Sequence, residues 1–453
     1  MRYELMHRDL VVATSENDFS FWDIHHPKAL PFRIDLKHCL PDLEVKLKAK
    51  LTLKGLGENL PRAIIGDYGI EWESVSDIKE ALELHKIGSE VVLESSLKTS
   101  KHNEARMRFF LGQRIFLLTR ENAKIILNSL GLEQSPSEEI RAEISKGIQG
   151  VTIIDRYWIR ELGSIQKWED IDPRKVLVSV GLGILSLTGT PTKATYQSLG
   201  LLEPNQYGPE TSVLGTFAKG LFRRSDGKLY MLKTGGSDTV YAEYLVSEIL
   251  KRTNVYDFVR YDIDPGTGSE GFVETGKPSS FCEILDHPEY DIVSATGMGL
   301  LGPQISLKKF KKEYAQMLVV DYIVCNWDRH LGNWGFHHDI TKGDVVGLHP
   351  LFDHNNSFGS EYFFLEDKEL ISKTNELGKA RTLFENADLY FEASELQFLD
   401  SVPESLFSYY GPDQKKYMDE FKRRCMKIGL GDPFNVIRKD DPLGDIPPDA
   451  WQD

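Results

Sequence analysis

The densest polar cluster in the chain reads Asn326-Trp327-Asp328-Arg329-His330-Leu331-Gly332-Asn333-Trp334-Gly335, followed by Leu351-Phe352-Asp353-His354-Asn355-Asn356. Moving a γ-phosphoryl group from a nucleotide needs a carboxylate to accept the hydroxyl proton and hard oxygen ligands to hold Mg²⁺ against the phosphates. Asp328 suits the first task; Asn333 and Asp353 suit the second. Asp328 and Asn333 lie five residues apart, so on one tight loop a base and a metal ligand can face a single phosphate. Arg329 and His330 are better placed to pack and hydrogen-bond that loop than to react. The bland reading is a loop that caps a helix and closes a turn, as Asp and Asn often do. Asp353 and an upstream lysine tip the balance toward chemistry.

Upstream, Val213 to Phe222 and Leu229 to Lys233 read as strands of a hairpin joined by Arg224-Ser225-Asp226-Gly227. Gly215-Thr216-Phe217-Ala218-Lys219 on the first strand offers backbone to cover phosphates, and Lys233 ends the second as a cation. After Gly235-Gly236, Ser237 or Asp238 can cap a helix whose apolar stripe is Tyr241, Tyr244, Leu245 and Ile249. Glu243 on that helix can pair with Lys233. Glu248 is its rival, but at 100° per residue the two glutamates stand about 140° apart, so only one faces the lysine. A second helix, Glu313 to Cys325, runs into the polar cluster. The last begins at Pro412 and sets Met418, Phe421, Cys425 and Ile428 on one side, with an acidic, proline-containing tail beyond Asp432.

Taken together and in this order, Gly215-x-x-x-Lys219, Lys233, Asp328-Arg329-His330-x-x-Asn333 and Asp353 resemble the HipA-type kinases, including the CtkA-like Ser/Thr kinases. The resemblance spans roughly half the chain, from Thr211 to about Gly359 and less specifically to Gly429. Asp-Arg-His-x-x-Asn also occurs in phosphatidylinositol-type lipid kinases, so the combination carries the likeness rather than one motif. It implies an α+β, bilobal protein-kinase-like fold of HipA type within residues 211–440, with an N-lobe at 211–285 and a C-lobe at 305–435. It implies ATP and Mg²⁺ as cofactors, a protein Ser/Thr hydroxyl as acceptor, and a toxin or effector role with a regulatory or antitoxin partner. Asp328, Lys233 and Glu243 would be catalytic, and Asn333 and Asp353 would hold metal. Gly215 to Lys219 and Lys233 would hold nucleotide, with Glu283 and Ile284 as the hinge against adenine. Ser212, three residues before Gly215, would be a self-phosphorylation site that ejects the phosphate loop.

Residues 1–175 read as an additional N-terminal α/β accessory domain of unknown task. They hold β-like runs at Leu10 to Ala13 and Leu43 to Leu53, and a helix capped by Thr119 with Ala123, Ile126, Leu127 and Leu130 on one face, stopped by Gly131. No small N-terminal β domain is legible. Residues 176–210 connect, and 441–453 form a tail. Val176 to Leu187, the longest apolar stretch, falls short of the roughly 20 residues of a membrane helix and reads as buried core. Gly181 and Gly183 before Gly189 mimic a dinucleotide fingerprint without its strand-turn-helix frame, so packing is the better reading.

The formal charge of −15 over 453 residues opposes a general nucleic-acid or anionic-membrane surface. Cys39, Cys282, Cys325 and Cys425 are too far apart for a zinc knuckle or redox pair. With no signal-peptide pattern at the N-terminus, a cytoplasmic location is expected. Two rival functions remain. Five of the twelve histidines, His330, His337, His338, His349 and His354, lie within 25 residues beside Asp328, Asp339 and Asp353, as a metallohydrolase would need. Against it, adjacent His337 and His338 point to opposite faces of a strand. A pseudokinase serving as a binding scaffold would bind nucleotide tightly without transfer.

Overall fold

The computed structural model describes residues 2–15, 22–26, 29, 31, 110–112, 114–115, 120–129, 145, 149–175, 180–190, 217–272, 274–295, 309–330, 332–370 and 387–436. Among them the fold is mixed α/β, with three small antiparallel sheets and their helices. None of these helices is long and apolar enough to cross a membrane.

Tyr3–His7 (β1) and Leu10–Ser15 (β2), short runs rich in buried residues, form an antiparallel pair. Trp22–Ile24 (β3) extends it beyond β2, and Tyr157–Glu161 (β4) joins the other edge, from Tyr3 opposite Glu161 to His7 opposite Tyr157. Leu5, Val12, Ala13, Phe110, Leu111, Tyr157 and Ile159 pack beneath it. The Trp158 indole N–H donates to the Arg8 carbonyl at 2.7 Å across 150 residues of chain. The order of this sheet is not legible in the sequence: one strand comes from far downstream, so no local periodicity announces it. The run from Leu43 to Leu53, with Thr119, Leu130 and Gly131, lies outside the described residues. Ala123–Ser129 (α1) buries Ala123, Ile126 and Leu127 as expected.

Val180–Thr188 (α2), in the segment read as a connector, buries residues Gly181 to Leu187. It lies on Lys219–Arg223 (β5) at van der Waals range. A Cβ on Gly183 would stand 2.8 Å from the Leu221 carbonyl, and one on Gly220 2.6 Å from the Gly183 carbonyl. Packing, not phosphate binding, explains these glycines. β5 and Leu229–Lys233 (β6) form the expected hairpin, but Phe217 and Ala218, read as part of its first strand, lie outside it. Ser279–Glu283 (β8) and Asp262–Asp264 (β7) complete the order β5-β6-β8-β7. Ser237–Leu250 (α3) follows. Its N-cap is Gly236, with no side-chain cap bond, rather than Ser237 or Asp238. Val240, Leu245, Val246 and Ile249 form the buried face, leaving Tyr241 and Tyr244 half-buried beside it.

The third sheet, β11-β10-β9, is built from Asp291–Ser294 (β9), Gly335–Asp339 (β10) and Asp344–Leu348 (β11). Beside it stand Lys311–Val324 (α4), Ser360–Phe363 (α5), Ala387–Ser394 (α6) and Gln414–Lys427 (α7). Val319, Ile323, Phe363, Phe407 and Phe421 lie in the largest core. The last helix begins at Gln414, not Pro412. Gly411, at φ 53 and ψ −121, breaks the backbone between it and the 3-10 turns of Glu404–Asp413. Beyond Asp432 the chain is still packed: Phe434 lies edge-on to Phe407 and Phe421.

The N-terminal sheet and its flanks grip the start of β9 and the residues just before it. His7 Nε2 donates to Asp291 Oδ2 at 2.6 Å, Arg156 Nη1 reaches Asp291 Oδ1 at 3.2 Å and the Tyr290 carbonyl at 2.8 Å, and Arg8 donates to the Pro288 carbonyl. Burial alone would push the Asp291 carboxyl up, but His7 and Arg156 hold it below the usual carboxylate range. A depressed folded-state value means stability that is present above the unfolded carboxyl's range and lost as pH falls through the folded one. Asp291→Asn is expected to lower the urea midpoint at neutral pH and to flatten this acid limb. An unchanged midpoint and limb would remove the cluster from the account of stability.

Candidate active site

α4 ends at Cys325, whose left-handed backbone (φ 53) turns the chain out of the core and into the polar cluster. Asp321, one turn earlier and fully buried, receives Arg329 through Nε and Nη2, each at 2.8 Å. Asn326 Nδ2 donates to the same carboxylate at 3.0 Å. Burial opposes the charge on Arg329, and Asp321 more than restores it. Arg329 Nη1 then donates to the Asn333 carbonyl and, at 2.7 Å, to the Phe352 carbonyl. One guanidinium thus fixes the loop bearing Asp328 and Asn333 against the residue preceding Asp353. The Trp327 ring stacks on Tyr362 at 4.7 Å and anchors the loop from the other side.

Within this frame Asp328 Oδ2 accepts from Asn356 Nδ2 at 3.0 Å, and the Asp328 carbonyl accepts from Asn333 Nδ2 at 3.1 Å. With its amide nitrogen so engaged, Asn333 has its Oδ1 oxygen to offer a cation. His330 is exposed, and its Nδ1 accepts from the Gly332 N–H at 3.0 Å.

Lys233, 4% exposed, donates from Nζ to Glu243 Oε1 at 2.7 Å and to Asp353 Oδ1. Glu248 faces away and pairs with Lys251 and Arg252. Ser280, opposite Lys233 in the β6–β8 register, donates to the second Glu243 oxygen. Burial works against charge on Lys233, but Asp353 and Glu243 raise its hold on the proton. Lys219 is buried directly opposite on β5. Burial and then Lys233 push its ammonium down to about 8, with Asp353 opposing. Burial would raise the Asp353 carboxyl; Lys233 and Lys219 hold it low. Two lysines thus share one patch, and an arriving polyanion would offset the burial and the repulsion by Lys233 that weaken the Lys219 ammonium. Arg329 ties the backbone of Asn333 to that of Phe352, the neighbour of Asp353; an amide and a carboxylate oxygen are the hard donor types that Mg²⁺ accepts alongside water and phosphate.

Other expected residues stand apart or lie outside this cluster. Gly215, Thr216 and Ser212 are outside the described residues. Phe217 brings its ring to 5.7 Å from Lys233 Nζ, and the Ala218 carbonyl accepts from the Thr234 N–H at 3.1 Å. Glu283 pairs with exposed Lys228 at 2.8 Å. The Ile284 N–H is bound to the Leu229 carbonyl at 2.8 Å, so this N–H of the expected hinge is already engaged by the neighbouring strand. Sequence reasoning did not single out Asp321, Ser280, Asn356 or Tyr261. Tyr261 is buried beside Glu243 and Asp353, and burial raises its phenol well above the ordinary value. Asn356 lay inside the quoted cluster and Asp321 one turn before it, whereas Ser280 is visible only through strand register.

The histidines do not assemble into a metal cage. The His337 ring stacks on Tyr290 at 5.6 Å, while His338 stands near Asp291. Burial pushes His337 and His349 down to about 4 and about 3, so both are neutral near pH 7. Asp339 instead closes a turn through Thr341 and Lys342. Among the described residues, no group of three or more His, Cys, Asp or Glu is placed to hold a metal ion.

No family model matches the sequence. No curated protein matches it either. Among solved structures the chain is similar in part to the Helicobacter pylori proinflammatory kinase CtkA, with a TM-score of 0.32 and 15% sequence identity over 47% of this chain and 92% of that one.

Proposed function

We propose that this protein is an ATP- and Mg²⁺-dependent protein serine/threonine kinase of HipA-like type, with β5 to β8 and α3 as the smaller lobe and α4 onward as the larger. The observation that carries this reading is the convergence on Lys233 of Glu243 from α3 and Asp353 from beyond β11, with Arg329 holding the Asp328 loop to Phe352, the residue before Asp353. In that role Lys233 meets phosphate oxygens and Glu243 keeps its ammonium aimed. Lys219 adds a second cation, and Asp328 accepts the acceptor hydroxyl's proton on a carboxylate oxygen. Asn333 and Asp353 would hold Mg²⁺, which when bound offsets the phosphate charge.

The test is thermal stabilisation by ATP with and without Mg²⁺, followed by transfer of labelled phosphate into a lysate. Without the metal, the triphosphate sets unbalanced charge beside Asp353 and Asp328, so stabilisation is expected only when Mg²⁺ is present. Lys233→Ala should weaken it. Equal stabilisation with and without metal contradicts these roles, and tight binding without any transfer indicates a nucleotide-binding scaffold instead.

A further inference from the structure

Glu243 can orient Lys233 only if α3 itself is held; Leu245, Val246, Ile249 and Leu250 set its apolar face into the largest core, and the other side of the helix carries a second hold. Tyr241, two residues before Glu243 and about 200° around the helix, stacks on Tyr409 with ring centres 4.0 Å apart and planes 16° apart. Its hydroxyl donates to the Leu406 carbonyl. The Tyr409 hydroxyl returns across the gap to Asp238 Oδ1 at 2.8 Å, on the first turn of α3. Tyr410 meets Tyr241 edge-on at 6.1 Å and stacks on Tyr417 of α7 at 3.6 Å. The stack continues to Phe363, 5.5 Å from Tyr417. An aromatic column therefore runs from α3 through the 3-10 turns at Glu404–Asp413 into the largest core.

We infer that Asp238, Tyr241 and Tyr409 form a built-in clamp that fixes α3 to the C-terminal half and keeps Glu243 on Lys233, making them positioning residues for the reaction proposed above. The helix would then be set by packing that is part of the fold. The consequence for turnover rests on the kinase reading, but the placement of α3 does not.

Lys233 is protected by burial and by its two carboxylate partners, so acetylation by an N-hydroxysuccinimide ester, read by mass spectrometry without nucleotide, reports on the clamp directly. Tyr409→Ala and Tyr241→Ala are expected to speed Lys233 labelling about fivefold relative to exposed lysines, the population shift that loss of one stacked pair produces. Tyr409→Phe and Tyr241→Phe keep the rings and should restore most of the protection. Tyr409 is 38% exposed, so its alanine variant is expected to fold even if that at Tyr241 does not. With ATP, Mg²⁺ and casein as acceptor, the alanine variants should lose kcat while the KM for casein stays put. Wild-type labelling rates in Tyr409→Ala would overturn the clamp whatever the turnover. A wild-type protein that never transfers phosphate overturns the kinase reading, while the labelling still decides the clamp.

Discussion

On the kinase reading, Asp328→Asn is expected to lower phosphate transfer by about two to four orders of magnitude, the usual contribution of a positioned general base, and to keep the Mg²⁺-dependent stabilisation by ATP expected of the wild type. The substitution preserves shape and keeps an oxygen that can accept from Asn356, while Arg329 and Trp327 hold the loop at other points. Asp353→Asn is expected to lose both properties, because it removes charge from the metal side of the site. Asparagine is the right probe here: Asp353 sits at φ 59, a left-handed conformation that Asn accepts and that would strain Ala. Lys233 keeps Glu243 as a partner in that variant, so the fold should survive. Near-wild-type turnover in both variants, with unchanged circular dichroism, would sink the assigned chemistry.

Arg329→Met is expected to cost about 3–5 kcal/mol of folding stability, the penalty for stranding one member of a buried ion pair. Asp321 has no exposure and takes two hydrogen bonds from this guanidinium, so its carboxylate would be left with Asn326 alone among the contacts described above. Arg329→Lys should rescue little, since an ammonium cannot span a carboxylate in bidentate fashion and reach two carbonyls as well. The double variant Asp321→Leu with Arg329→Met should regain part of the loss, because it removes both charges together. Urea midpoints for the four proteins read this out. A single variant within about 1 kcal/mol of wild type, the range of an exposed pair, would show that the pair is solvated rather than buried.

Local signals in the chain were enough to place the β5–β6 hairpin, α3, α4 and the loop after it. Each depends on a short pattern: a four-residue turn between apolar strands, a helical stripe, or an apolar helix ending in an Asn-Trp-Asp-Arg run. The choice between Glu243 and Glu248 for Lys233 could be narrowed to one because a helix presents them on different sides, and the helix phase then selected Glu243. Patterns of this kind span a few residues, so chain order alone exposes them. Other features depend on which segments meet. β4 joins β1 only when residues far apart pair, Ser280 reaches Glu243 only through strand register, and Tyr409 meets Tyr241 only when the C-terminal half closes on α3. Arg329 could be foreseen as a packing residue, but its partner Asp321 and its grip on Phe352 came from the fold of α4 against the third sheet. The amino-acid sequence determined which groups were available and the local shape each adopts, because backbone sterics and side-chain periodicity act between near neighbours. Tertiary structure decided which charges share a desolvated space, because burial and Coulomb coupling depend on distance through space, not on separation along the chain.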